Sequence, residues 1–76
     1  MNKERRKTLQ EIIDQLESLK DETESVQSDE EEYRDNIPEN MRNSERYERA
    51  EDACTYLSEA VDHLDEAISS IESAME

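Results

Sequence analysis

Residues 47–75, YERAEDACTYLSEAVDHLDEAISSIESAM, decide the fold because their apolar side chains recur at alternating steps of three and four. This spacing places them along one face of a helix for about four heptads, which predicts a coiled-coil seam. The segment holds many carboxylates but no lysine, and its single arginine is Arg49. The seam positions are Tyr47, Ala50, Cys54, Leu57, Val61, Leu64, Ile68, Ile71 and Met75.

A second run with the same spacing precedes it. Its positions are Leu9, Ile12, Leu16, Leu19, Thr23, Val26, Glu30, Tyr33 and Ile37. Between the runs lies RDNIPENMRN, with the only proline, Pro38, in a chain without glycine. We predict an all-α fold, an antiparallel two-helix hairpin (coiled coil), with helix one over about residues 4–34, a turn over about 35–43 and helix two over about 44–75.

Charges favour the antiparallel arrangement. Folding back would bring Arg42, Arg46 and Arg49 beside the carboxylates of residues 29–32. It would also bring the basic residues of 3–7 beside Glu72 and Glu76. Without such partners, four acids near the end of helix one oppose the helix dipole, so fraying is expected there. Two further expectations are an N-cap at Ser44 or Asn43 and a stack of Tyr33 on Tyr47 near the turn.

A row of alanines every seven residues runs beside the seam of helix two: Ala53, Ala60, Ala67 and Ala74. Ile13 broadens the stripe of helix one in the same way. Because a hairpin offers each helix one neighbour, these extra rows predict a homodimer that forms a four-helix bundle. The alternative is that the alanines are good helix formers on a semi-exposed flank.

The chain has 76 residues, too few for a self-sufficient core, and a net charge of -14. No signal peptide or membrane-length apolar run is visible, and one cysteine excludes an internal disulfide, so we expect an intracellular, cytoplasmic protein. Acidic charge repels anionic lipid and nucleic acid. The expected partners are therefore basic protein surfaces, with no direct nucleic-acid or membrane binding.

The acids concentrate on outward helix positions. After residue 7 the chain holds 22 acids and 5 bases. A hairpin of roughly 45 Å would carry these charges, at about 1.5 Å per residue. A dimer of that length would carry about one charge per 1.3 Å, in the range of duplex DNA, which has about one charge per 1.7 Å. The alternative is that the acids keep the protein soluble.

Sites for catalysis or cofactors are not apparent. Without glycine no phosphate-binding loop of the Walker or Rossmann kind can form. His63 is the only histidine, and with Glu59 and Glu66 it makes a weak metal-site pattern. Cys54 occupies a seam position, where a buried structural thiol is expected. We therefore expect no enzymatic activity, no cofactor and no metal.

The segments MNKERRKTLQEIIDQLESLKDE and IPENMRNSERYERAEDACTYLSEAVDHLDEAISSIESAM resemble a group of short acidic helical proteins of phages and mobile elements of Gram-positive bacteria. The resemblance covers nearly the whole chain and rests on composition and heptads. It implies a small phage inhibitor of a host enzyme, as anti-CRISPR proteins and other DNA mimics are. It carries over no individual residue.

These observations lead to two hypotheses. In the first, a non-enzymatic inhibitor of a host defence or DNA-processing protein binds a basic nucleic-acid-binding surface with its acids, as a DNA mimic. In the second, a helical interaction module binds a partner helix with its apolar seam, and the acids give solubility. Tyr56 is included in the first as an exposed aromatic among acids. The candidate partner-binding residues are Asp52, Tyr56, Glu59, Asp62, Glu66, Glu24, Glu31 and Glu32.

Overall fold

A computed structural model describes residues 1–76 and contains two long helices joined by a short turn. Helix α1 spans Lys3–Asp35, a 3₁₀ turn spans Glu39–Met41, and helix α2 spans Glu45–Ala74. The helices pack along their length in an antiparallel hairpin, which confirms the predicted all-α fold. The hairpin is 59 Å long and about 15 Å across, longer than the 45 Å expected, because the 33 residues of α1 alone span about 50 Å.

Side chains cap both helices at their N-termini. The Asn2 side chain accepts a 2.8 Å hydrogen bond from the backbone N–H of Arg5. Ser44 Oγ accepts one of 3.3 Å from the backbone N–H of Tyr47, which confirms Ser44 as the N-cap of α2. Each cap satisfies a backbone donor that has no partner inside its helix.

The turn is closed by burial and by Arg42. Ile37 is the most buried residue of the chain, with 1% of its surface exposed. Arg42 donates hydrogen bonds of 3.4 Å to the carbonyl oxygens of Ile37 and Asp35. The fraying expected at the end of α1 is not observed, since α1 continues to Asp35 with Arg34 in its last turn, where a positive charge favours the helix dipole.

The seam of α2 is confirmed, because all nine of its predicted positions are buried or half-buried. For α1 the prediction was wrong at every second position. Ile12 is 38% exposed while its neighbour Ile13 is only 3% exposed. The same shift by one residue recurs along the helix. The exposed predicted positions are Ile12, Leu19, Val26 and Tyr33, and the residues that face α2 instead are Ile13, Lys20, Gln27 and Arg34.

The predicted ion pairs between the helix ends are not formed. Arg46 Nε instead donates a 2.7 Å hydrogen bond to the hydroxyl of Tyr33, and Arg49 pairs with Glu45 of its own helix. At the other end, no ion pair joins residues 3–7 to Glu72 or Glu76. The one ion pair between the helices, Lys20 with Asp65, lies at mid-length, outside both predicted clusters.

The two turn-end tyrosines each interact with an arginine. The guanidinium of Arg46 lies 5.2 Å from the centre of the Tyr33 ring, and that of Arg42 lies 5.8 Å from the centre of the Tyr47 ring. Both distances allow a cation–π attraction. Each ring therefore contacts a guanidinium group, where a stack of one ring on the other was expected.

Replacing Ile37 by alanine will test the turn as a folding element. We expect Ile37→Ala to lower the free energy of unfolding by about 2–5 kcal/mol, because it leaves a cavity at a fully buried site. Met41→Ala, at a 43% exposed site of the same turn, should change it by no more than about 0.5 kcal/mol. Urea unfolding followed by circular dichroism measures both. Equal effects would show that Ile37 is not a core residue.

Candidate functional site

Two contacts between the helices identify two opposite sides of the hairpin. On one side Lys20 Nζ lies 2.8 Å from Asp65 Oδ1, and on the other Arg46 contacts Tyr33. Residues seven apart lie almost in line along a helix, because seven residues make nearly two turns. The row of Lys20 and the row of Tyr33 therefore flank the inward row of Leu16 from its two sides. The two sides carry different chemistry.

The side of Lys20 and Asp65 is the acidic face. One shallow groove here contains Glu17, Asp65 and Glu72 beside Lys20. A second, nearer the turn, has both Glu31 and Glu59 in its wall, so the structure brings together candidates from the two helices. We define the acidic face by its carboxylates, which are Glu17, Asp21, Glu24, Glu31, Glu59, Asp62, Asp65 and Glu72.

Two basic side chains that the sequence reasoning missed lie in this face. Lys20 pairs with Asp65 and, at 3.8 Å, with Glu24, and the hydrogen bond to Asp65 raises the pKa of Lys20. Arg34 donates to Asp35 at 3.1 Å, and this bond raises the pKa of Arg34. The signal that pointed to them was Ile13, which broadened the stripe on the side that faces α2. Lys20 and Arg34 continue its seven-residue row.

The candidate partner-binding residues separate into three groups. Glu24, Glu31, Glu59 and Asp62 belong to the acidic face. Asp52 and Glu66 continue the row of Glu59 along the outer surface of α2, next to this face. The remaining two, Glu32 and Tyr56, lie on rows turned away from it. Tyr56 is 68% exposed.

The side of Tyr33 and Arg46 is apolar. Ile12, Leu19 and Val26 precede Tyr33 in one row, and four alanines follow Arg46 in the other. Since the rows run antiparallel from this contact, each apolar residue of α1 lies level with one alanine of α2. The level pairs are Val26 with Ala53, Leu19 with Ala60 and Ile12 with Ala67. We call these rows, with Ala74, the apolar face.

Acid is excluded from the apolar side of α2. All nine carboxylates of α2 lie in the three rows that contain Glu48, Glu51 and Asp52. The row of the alanines and the next row outward contain none. That outward row consists of Arg49, Tyr56, His63 and Ser70. The helix is thus acidic on one side and neutral to basic on the other.

The single cysteine and the single histidine differ in environment. Cys54 is buried and free, and burial raises the pKa of its thiol. His63 is exposed, and its Nδ1 lies 3.7 Å from Glu66 Oε2. No three histidine, cysteine or carboxylate side chains converge in a way that would hold a metal ion.

Comparison with protein-family models, with curated proteins and with solved structures finds no match to this chain. Neither α1 nor α2 has a stretch long and apolar enough to cross a membrane.

The stability of the hairpin should fall at alkaline pH. In the folded state burial keeps the Cys54 thiol protonated, whereas in the unfolded chain it ionises near its ordinary pKa of 9.0. The stabilisation that comes from burying the neutral thiol is present below that pH, and it is lost as the pH rises through the higher pKa of the folded state. Lys20, whose folded pKa is raised above 10.5, acts in the same direction at higher pH. Thermal unfolding between pH 7 and about pH 10 measures the change.

Cys54→Ala is the matched control for this pH dependence. It should give a flatter stability profile between about pH 8 and pH 10, because the titrating thiol is gone. A wild-type profile as flat as that of the variant would contradict the burial argument.

Proposed function

We propose that this protein is a non-enzymatic, phage-type inhibitor whose acidic face binds the basic nucleic-acid-binding surface of a host defence or DNA-processing protein. The observation that carries the proposal is the set of carboxylates that both helices contribute to the acidic face, on the opposite side of the hairpin from the apolar face. The acidic face holds eight carboxylates and only two basic side chains, Lys20 and Arg34. A basic groove would therefore meet a surface with an excess of negative charge.

The length of the rod supports mimicry of a nucleic acid. A net charge of -14 over 59 Å corresponds to about one negative charge per 4 Å. Two copies side by side would carry one per about 2 Å, against about 1.7 Å for duplex DNA. Charges at this spacing would steer a basic target toward the rod and make its affinity sensitive to salt.

Individual carboxylates have distinct roles in this proposal. Glu31 and Glu59 line one groove between the helices, and Glu24 and Asp62 lie on neighbouring turns, so these four would replace phosphates at the centre of the contact. Asp52 and Glu66 extend it along α2. Tyr56 and Glu32 lie outside the contact, so of the eight candidate residues six remain in the proposed interface.

A second candidate function is favoured by the apolar face. A helical interaction module would bind a partner helix across Leu19 and Ala60, and its acids would serve solubility. Binding would then resist salt, and changes at Ala60 or Ala67 would be more damaging than changes at the acids. The same experiment separates the two functions.

Neutralising part of the acidic surface tests the proposed inhibitor. Glu59→Gln, Asp62→Asn and Glu66→Gln together remove three charges with little change of shape. The control variant combines Glu4→Gln, Glu11→Gln and Glu39→Gln, which remove three charges elsewhere. Each immobilised protein is incubated with bacterial lysate and eluted in steps of increasing salt, and eluted proteins are identified by mass spectrometry.

Wild type and the control variant should retain nucleic-acid-binding proteins that moderate salt or added duplex DNA releases. The acidic-surface variant should lose them, because the phosphate-like charges are gone. Equal retention by the two variants would refute the proposal. A partner that neither salt nor DNA releases would instead favour the interaction module.

A further inference from the structure

The apolar face is left uncovered by the hairpin. Leu19 and Val26 are 51% and 55% exposed, although they belong to the most regular apolar row of α1. Only five residues of the chain are buried. Domains are generally built from at least two packed layers around one core, whereas two helices side by side form one layer. The uncovered row marks the side on which a second layer is missing.

The surface area indicates how large that layer is. The hairpin exposes 5732 Å². A folded monomer of 9.0 kDa is expected to expose about 4,900 Å². The excess is close to the roughly 800 Å² that each partner buries in a protein–protein interface of standard size. One such contact would lower the exposed surface area of each chain to the value expected for a folded monomer of this mass.

Charge decides what the second layer is. A basic partner is drawn to the acidic face, since the rows of the apolar face contain no carboxylate, and the two that line the groove at its turn end, Glu30 and Glu45, lie beside Arg46 and Arg49. Another copy of this chain also has a net charge of -14, so it is repelled everywhere except along rows that contain no carboxylate. We infer that a second copy covers the apolar face, forming a four-helix bundle with both acidic faces outward. This inference does not depend on the identity of the target.

Side-chain size favours one arrangement of the two copies. On the apolar face the side chains contributed by α1 are large and those contributed by α2 are alanines. The best packing therefore places the large side chains of each copy on the alanines of the other. A twofold axis parallel to the helices does this. This axis also keeps every residue at the same height along the helix direction. Leu19 therefore faces Ala60 of the second copy, and neighbouring helices run antiparallel.

The flanking rows are complementary in this arrangement. The outer row of α1 contains Glu22 and Asp29, and the facing outer row of the second copy contains Arg49 and Tyr56. Three pairs of residues lie at the same height across the contact: Asp29 with Arg49, Glu22 with Tyr56 and Gln15 with His63. A twofold axis perpendicular to the helices would instead place the row of Glu22 and Asp29 against the same row of the second copy, and like charges so placed repel each other.

Sedimentation equilibrium of wild type, Leu19→Glu and Ser58→Glu tests the second copy. Both variants add one carboxylate, the first at a half-exposed position of the apolar face and the second at an exposed position of the acidic side. Wild type and Ser58→Glu should have twice the mass of the chain. Leu19→Glu should weaken association by at least about tenfold, because it buries an unpaired charge in the contact.

Circular dichroism of each variant will check that its helices are kept. A monomeric wild type at micromolar concentration overturns the inference, and so does a folded Leu19→Glu that associates as tightly as wild type.

Crosslinking tests the arrangement without relying on a disruptive substitution. In a Cys54→Ala background, Glu22→Cys and Tyr56→Cys are prepared as separate proteins and treated with a short bismaleimide. The parallel axis predicts a covalent dimer when the two proteins are mixed, and none from either alone. A dimer crosslinked from Glu22→Cys alone overturns this axis in favour of the perpendicular one. No crosslink on mixing overturns it as well.

Discussion

The burial of Ile13 and Ile68 between the helices fixes the rotation of α1 about its own axis, and the other surfaces follow from that rotation. Apolar residues occupy three adjacent rows of α1, a wider arc than one neighbouring helix can cover. With Ile13 turned toward α2, the row of Lys20 and Arg34 is drawn to one edge of the seam and the row of Leu19 and Val26 is left at the other. The hairpin therefore has two unlike sides.

The carboxylates contribute little to holding the helices together. A single ion pair, Lys20 with Asp65, joins α1 to α2, and both of its side chains are partly exposed. Exposed pairs of this kind stabilise a fold weakly. The core consists of aliphatic side chains, Ala50 and Cys54, with the most complete burial at Ile37 in the turn. Because folding leaves most of the carboxylates without an ion pair, they contribute charge to the surface of the hairpin and little to its core.

Separation of acid from apolar surface lets the two proposed contacts coexist. A second copy on the apolar face would leave both acidic faces open on opposite sides of a four-helix bundle. Each face could then meet a basic groove without disturbing the dimer, and the combined charge would steer association from either side. The row of Arg49, Tyr56 and His63 belongs to the dimer contact in this arrangement, which gives Tyr56 a role other than target binding.

The sequence by itself determined the helices, the turn at Pro38, the cap at Ser44 and the seam of α2, because these depend on local propensity and on an apolar row with one continuous register. It also grouped the acids on outward positions. Only the tertiary structure decided which rows of α1 face α2, and with them the grouping of Glu24, Glu31, Glu59 and Asp62 and the exposure of Leu19. In α1 two seven-residue rows, those of Ile12 and Ile13, compete for one neighbour. Periodicity along a single helix does not choose between them, because the choice depends on how side chains pack across the hairpin.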